Sequence, residues 1–158
     1  MNKKGFSLVE LTISLILVAL VLFSMMNLLV SIKDFDVEVS DYNNNIVSQQ
    51  MIVKAINNDI IQNGLTSIGT YDSTNKNISL TVGGTTKYIQ LINDGKTVIY
   101  YSNKNTPILS ETLCSTCGRF TNISTNKAGN VNTGEVVKII IEHLNSDFNC
   151  EITYYKAN

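Results

Sequence analysis

The stretch Gly5 to Val30, GFSLVELTISLILVALVLFSMMNLLV, sets the layout of the whole 158-residue chain. Wound as a helix at about 1.5 Å per residue, Phe6 to Val30 is roughly 37 Å long, enough to cross a bilayer interior of about 30 Å. Glu10 is the single charged residue between Lys4 and Lys33. A carboxylate inside a membrane costs roughly 2.5 to 3.5 kcal/mol and normally has a partner, and this segment supplies none. A secretory signal peptide has an apolar core of about 7 to 15 residues followed by a small-residue exit site, and the run is too long for that. A plain single-pass anchor accounts for the length but gives Glu10 no purpose.

Lys3 and Lys4 flank the N-terminal end of the span. By the positive-inside rule that end stays cytoplasmic and the chain beyond about Ile32 faces outward. The mean hydropathy of +0.09 comes from the span, because the remainder is rich in Asn, Thr and Ser. A net charge of -1 leaves no basic face for nucleic acid, so no direct nucleic-acid binding is expected. The length has room for one anchor and one modest domain.

From Ile32 to Asn63 there is neither proline nor glycine, and Phe35, Val39, Tyr42, Ile46, Val53, Ile56 and Ile60 recur at helical spacing. One helix from about Phe6 to Gln62 is predicted, with Ser40-Asp41-Tyr42-Asn43-Asn44-Asn45 as a weak point of low propensity where it kinks or melts. Val47, Met51, Ala55 and Ile61 put apolar residues on further faces, which suits burial on more than one side. Gly64 is the expected helix stop. The period then changes to two. Ile78–Val82, a Gly83-Gly84 turn, Lys87–Leu91, an Asp94-Gly95 turn and Thr97–Ser102 predict a three-stranded meander.

Residues 122–134 are Asn-, Thr- and Gly-rich and read as loop, with one short strand near Arg119–Ile123. Glu135–Glu142 and Asn149–Tyr155 read as a final hairpin joined at Asn145-Ser146-Asp147. The expected fold class is α+β, a long N-terminal helix packed on a C-terminal antiparallel sheet. The layout is a leader at 1–5, a transmembrane and assembly helix at 6–30, its outer half at 31–63 and a β domain at 64–158.

Three cysteines leave several states open. Cys150 bonded to Cys114 or to Cys117 staples the last strand to the preceding loop. A zinc site of Cys114, Cys117 and Cys150 completed by His143 or an acid is the metal alternative, and free structural thiols are the third. The single CxxC is a weak metal signal, and no metal or cofactor is expected. His143 reads as a surface residue at a strand end. No nucleophile, base and orienting acid can be matched, and no glycine-rich phosphate loop follows a strand, so no enzyme is expected.

Lys3-Lys4-Gly5-Phe6-Ser7-Leu8-Val9-Glu10-Leu11 followed by a long apolar helix resembles the processing signature of type IV pilins and pseudopilins. The resemblance covers about the first thirty residues. It implies cleavage between Gly5 and Phe6 by a membrane prepilin peptidase after the basic leader of Lys3 and Lys4, and N-methylation of Phe6. It also implies an assembly role for Glu10, the fifth residue of the mature chain. Partners would be the peptidase, other pilin or pseudopilin subunits, the inner assembly platform with its ATPase, and the membrane. The chain would sit in the cell membrane with its C-terminal domain outside, then in a surface filament. Asn27 stands where many members carry a proline, so no proline bend is expected in the span, and a minor subunit is favoured. Pilus, secretion and DNA-uptake machines stay open. The rival is a membrane-tethered extracellular binding module with the helix only as its anchor.

Overall fold

The computed structural model describes residues 7–130 and 134–156. Among the described residues helix α1 (Leu8–Asn63) is followed by eight strands, and the fold is α+β. The chain divides into two units, residues 1–40 and 41–158.

In the first unit the helix from Leu11 to Ile32 carries no charged residue and is apolar on all faces, as a membrane span requires. Its most apolar 18-residue window has a mean hydropathy of 2.6 and is 0% buried; by length and composition this is a helix that can cross a membrane. The hydroxyls of Thr12, Ser14, Ser24 and Ser31 each donate to the carbonyl three or four residues back, Val9, Glu10, Leu20 and Asn27. That satisfies four exposed donors within the helix itself, as a lipid-facing surface would require.

In the second unit the helix buries one stripe, Asn45, Ser48, Ile52, Ile56 and Ile60, at the spacing of one helical face. All six residues from Ser40 to Asn45 are helical, so the predicted local melting does not occur. Tertiary contact outweighs propensity there: Asn45 is buried and the Tyr42 ring meets Phe148 edge-on at 5.4 Å. Val47, Met51 and Ile61 are exposed. Gly64, at φ +74°, donates to the Ile60 carbonyl over 2.8 Å and ends the helix.

The β part is two antiparallel sheets where one was expected. The first runs β1 (Leu65–Ile68), β2 (Asn77–Val82), β3 (Thr85–Ile92), β4 (Thr97–Tyr101) and β5 (Leu109–Thr112) in sequence order. The predicted meander is its centre, with the Gly83-Gly84 turn joining Val82 to Thr85. Its two edge strands, β1 and β5, are four residues each and too short to declare a period. The second sheet orders β6 (Phe120–Asn130), β7 (Gly134–His143) and β8 (Cys150–Lys156). β6 corrects the loop expected over residues 122–134 as far as Asn130, residues 131–133 lying outside those described: the strand pairs through ten registered positions with the Val- and Ile-rich β7, whose need for a partner dictates the pairing.

Both sheets and the helix stripe share one core, with Ile78, Leu80, Ile89 and Val98 from the first sheet and Ile123, Ile139, Ile141 and Ile152 from the second. β4 is buried on both faces. Tyr100 points into the core, while Tyr101 stacks on Tyr88 at 5.6 Å and donates to the Gln90 Oε1 over 3.1 Å. Tyr155, by contrast, is exposed.

Candidate functional site

Three groups of side chains carry chemistry. The first lies at the start of α1. Ser7 is its N-cap: the hydroxyl accepts from Val9 N–H at 3.3 Å, and the Glu10 carboxylate accepts from Ser7 N–H at 3.1 Å. This reciprocal pair is a capping box. Its S-x-x-E pattern stands in the sequence before the apolar run and gives Glu10 a partner, Ser7 N–H, that the charge-pairing argument missed. The leader lysines Lys3 and Lys4 and the junction Gly5-Phe6 lie outside the described residues.

The second group surrounds the CxxC. Cys114 and Cys117 are bonded to each other with Cα atoms 5.1 Å apart, and Cys150 is free and buried. The expected bond to Cys150 is therefore corrected. The CxxC turn, closed by Cys117 N–H to Cys114 C=O at 3.3 Å, brings its own two sulfurs together. Cys150 instead stands opposite Ile141 inside the core, where burial pushes its thiol up to about 12.

Asp41 reaches this loop from the helix. Its Oδ1 lies 3.5 Å from Cys114 Sγ and its backbone oxygen 3.6 Å from Cys117 Sγ. Lys96 Nζ ties the loop down by donating to the Ser115 carbonyl over 2.9 Å.

His143 is 7% exposed, not a surface residue. Its Nδ1 accepts from Asn145 N–H at 3.0 Å, which places the ring proton on Nε2, 3.0 Å from the Cys117 carbonyl. Phe120 and Phe148 flank the ring edge-on. With both nitrogens engaged and the ring enclosed, His143 is no zinc ligand. The alternative zinc set of Cys114, Cys117 and Cys150 completed by His143 is thus not assembled.

The third group is a polar cluster at the core margin, absent from the sequence reading. The Lys87 ammonium donates to both Asp59 oxygens at 2.8 and 2.7 Å, Tyr100 Oη donates to the same carboxylate, and Asn63 Nδ2 adds a bond of 2.8 Å. Both charged side chains are 13% exposed. Burial by itself raises the Asp59 carboxyl; the bonds from Lys87, Tyr100 and Asn63 and the Lys87 charge together outweigh it and hold the group below the usual carboxylate range. Burial, then the Asp59 bond and charge, push the Tyr100 hydroxyl far up. Lys87, Tyr100 and Asn63 converge on the one Asp59 carboxylate, which makes the cluster a clasp between α1, β3 and β4. The only local signal was an acid next to the Ile56–Ile60 stripe with Asn63 one turn on.

What these features define is a class: a chain with an apolar N-terminal helix of membrane-crossing length and a two-sheet domain built on that helix's outer turns. Comparison with protein-family models, with curated proteins and with solved structures finds no match.

Proposed function

We propose that this protein is a structural subunit of a type IV pilus-like filament, a minor pilin or pseudopilin, trimmed before Phe6 and assembled through its N-terminal helix. The observation that carries the reading is the apolar segment itself: it is unburied, and its only charge is Glu10. In a bundle of such helices, the amine of a mature Phe6 and the Glu10 carboxylate of a neighbour neutralise each other in apolar surroundings; removing one leaves an uncompensated charge, at roughly 3 to 5 kcal/mol. The subunit does no catalysis in this reading. It waits in the membrane with its β domain outside until an ATP-driven platform draws it into the filament.

Mass spectrometry of the mature N-terminus from the source cell is the test. A chain starting at methylated Phe6 is expected, and an intact Met1 would falsify the proposal. The second reading, a membrane-tethered binding module, draws on a groove lined by Gln49, Lys54, Asn57, Ser146, Asp147 and Asn149. It predicts no cleavage after Gly5.

A further inference from the structure

We infer that reducing the Cys114–Cys117 disulfide uncovers a metal site, in which both cysteine thiolates and the Asp41 carboxylate bind a thiol-seeking divalent cation of the Zn(II) class. The inference does not depend on the filament reading.

The ligand atoms of Asp41, Cys114 and Cys117 all lie within 4.8 Å of one another. Zinc bonds of about 2.3 Å to sulfur and 2.0 to 2.2 Å to a carboxylate oxygen place tetrahedral neighbours roughly 3.5 to 3.8 Å apart. Cys114 Sγ to Asp41 Oδ1 is already 3.5 Å. The two sulfurs have to separate and the Asp41 carboxylate, within 4.8 Å of both, has to close on Cys117; opening the disulfide frees each cysteine side chain to turn. The site joins a helix residue to a two-residue loop that Lys96 already pins through the Ser115 carbonyl, so three donors are positioned before any ion arrives.

A second observation lies one helical turn from Asp41. Asn45 is one helical turn beyond Asp41 on the same face, it is 6% exposed, and its Oδ1 is buried without a hydrogen-bond partner among the described residues. A buried acceptor left unpaired costs about 1 to 3 kcal/mol, and one in a folded domain calls for an explanation. We assign the fourth coordination position to water, with Asn45 as its acceptor. Cys150, in the core opposite Ile141, and His143, with both nitrogens engaged, take no part.

The chemistry balances with an external thiol as reductant. Two thiols are oxidised to one disulfide, Cys114 and Cys117 take up the two electrons and two protons as a dithiol, and the cation displaces those protons to solvent on binding. Oxidation closes the site, so occupancy reports the redox state around the domain.

The full-length chain in detergent, reduced with a phosphine that is then removed under anaerobic conditions, is titrated with Zn(II) and separately with Co(II). One ion per reduced chain is expected, with the sulfur-to-cobalt charge-transfer absorption of thiolate ligation, and none in the oxidised chain. Cys114→Ser and Cys117→Ser should each remove binding, Asp41→Ala should weaken it at least tenfold, and Cys150→Ala should retain it; circular dichroism checks that each variant is folded. Failure of the reduced wild-type chain to take up an ion overturns the inference without reference to any variant. So does equal binding by the oxidised chain, wild-type affinity in folded Asp41→Ala, or loss of binding in folded Cys150→Ala.

Discussion

Glu10 accepts a hydrogen bond from Ser7 N–H and also carries the apolar segment's only charge; glutamine keeps the first property and removes the second. Glu10→Gln should leave leader cleavage and membrane insertion unchanged while cutting incorporation into filaments at least tenfold, as loss of a buried charge partner implies. Wild-type incorporation of this variant, read by immunoblot of sheared filaments, would reduce Glu10 to a helix cap. Asp59 makes a prediction of the opposite kind, about stability. Its folded carboxyl lies below its ordinary value, so the clasp's contribution is present above the unfolded pKa near 3.9 and is lost as pH falls through the lower folded value. Asp59→Asn should cost about 3 kcal/mol at pH 7 by leaving Lys87 without its counter-charge. In urea titrations the gap to wild type should close as pH drops below about 4; a constant gap would mean the carboxylate is not ionised in the fold. The capping box was readable from Ser7 and Glu10 alone, since it is local. The clasp was not, because Lys87 and Tyr100 stand 28 and 41 positions from Asp59.

At the level of elements, the turn between β3 and β4 touches the second sheet. Gly95 has φ +82°, and a Cβ there would lie 1.9 Å from the Phe120 carbonyl oxygen on β6. Gly95→Ala therefore demands both a disfavoured backbone conformation and a shift of β6, and should destabilise the domain by about 2 to 4 kcal/mol. Thermal unfolding measures this. A change under 1 kcal/mol would show that the sheets separate there at little cost. The helix and the meander were legible because periodicity is a local property with long runs to read. The division into two sheets was not: it depends on where β5 and β6 pair, which no window of sequence reports. β6 was hidden for a further reason, since Thr121, Asn122, Ser124, Thr125, Asn126 and Lys127 are loop-like residues enlisted as a strand by β7.

Across the whole molecule, position in the fold sorts the cysteines. Three thiols in one chain left the pairing open: Cys150 stands opposite Ile141 in the core, and the CxxC closed on itself. That ring spans a sequence separation of 3. Chain-entropy estimates assign so short a loop on the order of 2 kcal/mol, against about 4.7 for a loop of 100 residues. Reduction should accordingly lower the melting temperature of the domain by less than about 10 degrees, and the reduced, folded chain should show one thiol, the half-buried Cys114, that alkylates more readily than the buried Cys117 and Cys150. Collapse of the fold on reduction would contradict this. A domain so indifferent to one bond can finish folding before any oxidant reaches it, and is equally at home on the reducing and oxidising sides of a membrane.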